Sequence, residues 1–73
     1  MTTRRALPWD REEASSYTAI DGDATYYVFR EYSSNWKAVR MDAQGVRTVV
    51  ARNCNTLAMA KRGAEAHAAQ VSA

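Results

Sequence analysis

The residues with chemistry to offer are few and far apart. His67 is the only histidine and Cys54 the only cysteine in a chain of 73 residues. A cysteine nucleophile requires a base beside its thiol, and the only histidine that could serve stands thirteen positions further on. A metal site needs three or four ligands at suitable spacing, which one Cys and one remote His do not supply. The acidic residues Asp10, Glu12, Glu13, Asp21, Asp23, Glu31, Asp42 and Glu65 fall mostly at expected turns and helix ends, where turn and cap chemistry accounts for them. Gly22, Gly45 and Gly63 are too widely separated to form a phosphate-cradling loop. The expectation is a protein that is not an enzyme, with no cofactor, no metal and no small-molecule ligand.

What the chain does concentrate is aromatic and cationic side chains. The run Tyr26-Tyr27-Val28-Phe29-Arg30-Glu31-Tyr32 is its densest stretch of aromatic and β-branched residues, which favour a pleated strand. Alternation places Tyr26, Val28, Arg30 and Tyr32 on one face and Tyr27, Phe29 and Glu31 on the other. A strand apolar on both faces belongs in the middle of a sheet, with something to cover each side. The chemistry this predicts is binding, with Tyr26, Arg30, Tyr32, Trp36 and Arg40 as the contact residues if their face is the open one.

The elements that must position these residues read as follows. Met1 to Pro8 is a short, partly basic arm expected to be flexible, and Trp9 is expected to tuck against the core. Asp10-Arg11-Glu12-Glu13 has a cap candidate with Glu three positions later, which predicts a single helical turn. Tyr17 to Ile20 alternates, and Asp21-Gly22 predicts a two-residue type I′ hairpin. That turn would set Ile20 opposite Asp23, Thr18 opposite Thr25 and Tyr17 opposite Tyr26. Ser33-Ser34-Asn35 is a turn cluster, and Trp36 to Met41 resumes a strand. A three-residue loop there would bring Phe29 beside Val39 and Tyr27 beside Met41.

Asp42-Ala43-Gln44-Gly45 has the residues of a type I turn, and Val46 to Ala51 is the return strand. A bulge at Gly45 would set Val39 opposite Val49 and Ala38 opposite Val50. One face would then collect Tyr27, Phe29, Val39, Met41, Val49 and Ala51. The other would collect Tyr26, Val28, Tyr32, Trp36, Ala38, Val46 and Val50, with Arg30 and Arg40. Arg52 to Asn55 connects to a helix over 56–70, capped by Asn55 or Thr56. Its narrow stripe of Leu57, Ala60, Ala64, His67 or Ala68, and Val71 suits close packing on a sheet. Gly63 interrupts the helix, either at a close approach to the sheet or in the open.

Composition bounds the function. With 47% hydrophobic residues and 10% aromatics, the chain has material for a folded core and is not expected to be disordered. Ten Lys and Arg against eight Asp and Glu leave a net charge of only +2, a weak footprint for nucleic acid. The lone cysteine predicts a reducing cytosol; with no apolar run after Arg4 and Arg5 and none near ~20 residues, neither a signal peptide nor a membrane span is expected.

The stretch from Tyr26 to His67 resembles small proteins of bacteriophages that infect actinobacteria. The likeness is carried by Trp36-Lys37-Ala38, Gly45, Thr56-Leu57, Ala60-Lys61 and Ala64-Glu65-Ala66-His67. Ala58 and Met59 stand where acidic residues are usual after Thr-Leu. The resemblance implies a cytoplasmic location in a bacterial host. Characterised proteins of this kind often bind and redirect a host protein, and a minority bind DNA.

The sequence as a whole predicts one α+β domain, a four-stranded antiparallel meander followed by one C-terminal helix on one face. Its open face would bind a protein partner, which includes a second copy as a homodimer. A basic and aromatic sheet face reading DNA is the alternative, with Arg30, Lys37, Arg40, Arg47 and Arg52 in or beside the sheet and Arg4 and Arg5 as an arm. In a competing arrangement, Trp9 and the N-terminal arm fold over that face and close it.

Overall fold

Regular strand periodicity begins earlier than expected. In a computed structural model, which describes residues 6–30 and 35–72, the chain enters the sheet at Asp10. Among the described residues there are five strands, β1 (Asp10–Glu13), β2 (Ser16–Asp21), β3 (Ala24–Arg30), β4 (Trp36–Met41) and β5 (Arg47–Cys54), followed by α1 (Leu57–Ser72). They form one antiparallel sheet in the order β1-β2-β3-β4-β5. The α+β class and the meander stand, with five strands in place of four and β3 at the centre.

The added strand is the segment expected to form a helical turn. A helical nucleus fixes several residues for a single hydrogen bond, and Asp10 to Glu13 is too short to recover that cost. Pairing Asp10 with Thr18 and Arg11 with Tyr17 gives the same backbone groups partners on β2. Glu13, expected to serve the cap, pairs with Ser16 instead, and Glu12 accepts a hydrogen bond from the Thr18 hydroxyl at 3.0 Å.

The β2–β3 hairpin closes one residue later than the Asp21-Gly22 reading. Asp21 pairs with Ala24 and Ile20 with Thr25, leaving Gly22 and Asp23 as the loop. Gly22 has φ +62° and Asp23 has no positive φ, the type II′ pattern. A type I′ turn would have forced Asp21 into the left-handed region, whereas here glycine alone occupies it. The shift sets Ala19, not Tyr17, opposite Tyr26, so a small side chain leaves room for the ring.

The β3–β4 register also differs from the expected one. Arg30 pairs with Trp36 and Tyr27 with Val39, which puts Phe29 opposite Lys37. The following turn is held by the Asp42 carboxylate, which accepts hydrogen bonds from the backbone N–H groups of Gln44 and Val46, both at 2.9 Å. Val39 then faces Val49 as expected, but Ala38 faces Ala51 and Trp36 faces Cys54. An extra residue of β5 is accommodated at each of these two interruptions, and Asn53 takes φ +56° beside the second. The first interruption moves Ala51 off the Tyr27 face and onto the opposite one.

The helix begins where the cap chemistry predicts, with Thr56 Oγ1 accepting from the Met59 N–H at 3.2 Å. It lies on β5 and β4 and reaches β3. Ala60, Ala64 and Ala68 are fully buried, while Val71, expected on the same stripe, is exposed. Beneath them lie Tyr26, Val28, Ala38 and Cys54, joined by Ala19 and Leu7. Tyr26 and Val28 are wholly enclosed, and burying each contributes about 1.5–3 kcal/mol. Leu7, assigned to the flexible arm, is part of this core.

Candidate interaction surface

The helix covers the Tyr26 face, so the open face is the other one. The register fixes its membership row by row. Asp10, Thr18, Tyr27, Val39 and Val49 lie side by side across all five strands, because each is the direct partner of the next. Ser16, Phe29 and Lys37 form the neighbouring row on one side, and Ile20, Thr25, Met41 and Arg47 the row on the other. Tyr27, Phe29, Lys37, Val39, Arg47 and Val49 line a groove of about 410 Å³. Val39 is buried at its floor and Val49 is 37% exposed at its rim. Ile20, at 68% exposure, extends the apolar surface towards β2.

Charge is graded across this face. β1 brings Asp10 and Glu12, β2 brings hydroxyls, β3 and β4 bring aromatic and aliphatic groups, and Lys37 and Arg47 bring cations on β4 and β5. Strand pairing alone produces the gradient, since a residue's face follows from its register.

The expected contact residues lie elsewhere. Tyr26 is wholly buried under the helix and is not an open-face residue. Its hydroxyl shares a 3.1 Å hydrogen bond with His67 Nδ1, and the two rings meet edge to face at 6.1 Å. Arg40 is on the same covered side, with a buried Nε that has no hydrogen-bond partner. Burial, and then the positive charge of Arg40, hold the His67 imidazole below its ordinary pKa. Trp36 is half-buried, packed on the core and 6.3 Å from the Tyr17 ring. Arg30 is exposed, with its guanidinium 5.9 Å above Trp36. Tyr32 lies outside the described residues, as do Arg4 and Arg5.

Trp9 packs against the core as expected, but on the helix side. Glu65 Oε2 accepts hydrogen bonds from Trp9 Nε1 at 3.1 Å and from the Leu7 N–H at 3.3 Å. Lys61 Nζ sits 4.5 Å from the Tyr17 ring centre and 5.7 Å from that of Trp9, cation–π contacts that close the gap between helix and β2. The Leu7–Trp9 segment therefore finishes the covered face, and among the described residues no element packs on the Tyr27 face.

A signal for the covered face is present in the sequence. Ala19, Ala24, Ala38 and Ala51 all belong to the Tyr26 side, where small side chains admit a close-lying helix, whereas the Tyr27 face carries no alanine. Gly63 confirms how near the helix comes, since a Cβ there would lie 2.6 Å from the Ala51 Cβ.

Cys54 is buried before the helix starts, its thiol directed to the Arg52 carbonyl at 3.7 Å. His67 stands ten residues into the helix, about 15 Å along its axis from the first turn. Among the described residues, no group of three or more His, Cys, Asp or Glu is placed to hold a metal ion, and no helix is long and apolar enough to cross a membrane. The chain matches no protein-family model, no curated protein and no solved structure.

Proposed function

We propose that this chain is a small non-enzymatic interaction protein that docks a protein partner on the Tyr27–Phe29 face of its sheet. The observation that carries the reading is the uncovered groove of Tyr27, Phe29, Val39 and Val49. Apolar surface gathered in one patch on a soluble chain is the usual mark of an association site. Its anatomy fits a protein interface, with aromatic groups at the centre and charged groups at the rim. The likeness of the Tyr26 to His67 stretch to actinobacteriophage proteins supports a partner within a bacterial cytoplasm, either a host protein or this chain itself.

Nucleic acid is the second reading, and one observation favours it. Tyr27 and Phe29 stand two apart on the central strand with Lys37 and Arg47 beside them, the ingredients of a base-stacking platform. Asp10 and Glu12 on the same face repel a phosphate backbone and weigh against it.

The two readings are separated by a capture experiment with nuclease-treated bacterial lysate and an anisotropy titration with random single- and double-stranded DNA. The wild-type chain should retain protein that the Phe29→Glu chain does not, and should leave DNA free at low salt. DNA binding that falls steeply as salt rises, together with captured protein unaffected by Phe29→Glu, would overturn the protein-partner reading.

A further inference from the structure

We infer that the occupant of the open face is a second copy of the chain, related by a twofold axis that runs along β3. The inference rests on the reading of that face as a protein-docking surface and names its partner and geometry.

The argument comes from the charge gradient. Two identical sheets can meet face to face about a twofold axis lying either across the strands or along them. An axis across the strands puts β1 over β1 and β5 over β5, so the acidic strand meets its own copy and the strand carrying Arg47 meets its own. An axis along β3 exchanges the two sides, placing β1 of each copy over β5 of the other. The acidic strand then meets the basic one twice, as an isologous interface requires, and like charges are kept apart.

The same axis brings Tyr27 and Phe29 of both copies together at the centre, since β3 is the middle strand. Val39 packs against the hydroxyl-bearing β2 of the partner, where Ile20 supplies apolar cover. Strands of the two sheets run in the same sense, the aligned packing seen when twisted sheets stack about 10 Å apart.

The size of the face sets the strength of the contact. Five strands about 4.8 Å apart and six residues rising about 3.3 Å each give roughly 480 Å² of projected area per copy. The total, roughly 1,000 Å², is at the small end of specific interfaces. The dimer is therefore a dissociating one, visible as a concentration-dependent equilibrium.

Sedimentation equilibrium on three chains tests this. The wild type should show a monomer–dimer equilibrium. A chain carrying Asp10→Lys with Glu12→Lys, and another carrying Lys37→Glu with Arg47→Glu, should each dimerise at least tenfold more weakly. An equimolar mixture of the two altered chains should recover dimer to near the wild-type level, because both β1–β5 contacts again join opposite charges. That recovery also shows that both altered chains are folded.

A wild type that stays monomeric at about 1 mM would overturn the inference, and so would self-association unaffected by either pair of reversals. If the chain is monomeric yet Phe29→Glu abolishes capture of another protein, the docking-face reading stands and only the identity of the partner falls.

Discussion

Gly63 on the helix lies directly against Ala51 on β5, so close that a Cβ on the glycine would stand 2.6 Å from the alanine Cβ. Ala51 reaches that position only because the first interruption of β5 turns it to the helix side. In an exposed helix, Gly→Ala stabilises by about 0.8–1 kcal/mol. Here Gly63→Ala is expected to destabilise by about 1–3 kcal/mol through overpacking, because the Ala51 Cβ is fixed to backbone and cannot swing away. Urea denaturation followed by circular dichroism measures it. Adding Ala51→Gly to Gly63→Ala should recover part of the loss, and a Gly63→Ala chain more stable than wild type would contradict the contact.

The Tyr26–His67 pair predicts a pH dependence. The folded chain holds the imidazole neutral below its ordinary pKa of about 6.5, so between the lowered value and 6.5 the unfolded chain binds more protons. The contribution of His67 to stability is complete above about pH 6.5 and is lost as pH falls through the folded pKa. His67→Gln should flatten that part of the stability profile. Arg40→Met should raise the folded pKa towards 6.5 without reaching it, since burial is the larger cause. Proton NMR titration of the single histidine reads the shift directly, and an unmoved pKa in the Arg40→Met chain would remove Arg40 from the account.

Glu65 clasps the N-terminal segment to the helix through two hydrogen bonds, from Leu7 and Trp9. Hydrogen bonds to a charged group contribute about 1.5–3 kcal/mol when sheltered, and partial exposure here lowers the expected cost of Glu65→Ala to about 1–2 kcal/mol. Glu65→Gln keeps an acceptor oxygen and should cost less. Trp9 fluorescence should move to longer wavelength in the alanine chain before global unfolding, whereas simultaneous loss of both signals would mean that the segment does not release by itself.

Val28 and Phe29 are sequence neighbours on opposite faces, one wholly enclosed and the other at the open groove. Val28→Asp is expected to abolish folding, because the carboxylate enters the core without a partner. Phe29→Asp, at a half-buried side chain, should leave a folded monomer destabilised by about 0.5–3 kcal/mol. Comparing the two by circular dichroism and one-dimensional NMR decides which face the helix covers, and the reverse ranking would exchange the faces.

Much of this architecture could be read from residue types. The alternation of Tyr26 to Phe29, the Asp42 to Gly45 turn, the Thr56 cap and the alanine stripe of the helix each have a local cause, and each is found. Local signals failed where two were in competition. Asp10 and Glu13 satisfy a cap pattern, but pairing with β2 outweighs one short turn. Asp21-Gly22 suits one hairpin and Gly22-Asp23 another, and the better fit of Ala19 against Tyr26 selects the second. Which face the helix covers was left open by residue types, since both are aromatic and the decision rests on how near the helix can lie. Its signs were the alanines on the Tyr26 side and Gly63 above them, which the sequence displays but whose meeting depends on two irregularities in β5.

Those irregularities also bear on how the molecule behaves when crowded. An outer strand with an unbroken row of unpaired N–H and C=O groups is a template on which strands from other molecules can add. β5 has no such row, being broken twice in register and turned by the positive φ of Asn53. On the far side β1 is four residues long, irregular between Arg11 and Glu13, and made only of charged residues. Growth into fibres is blocked at both ends of the sheet, and the protein should remain as discrete particles at concentrations where a regular five-stranded sheet would polymerise.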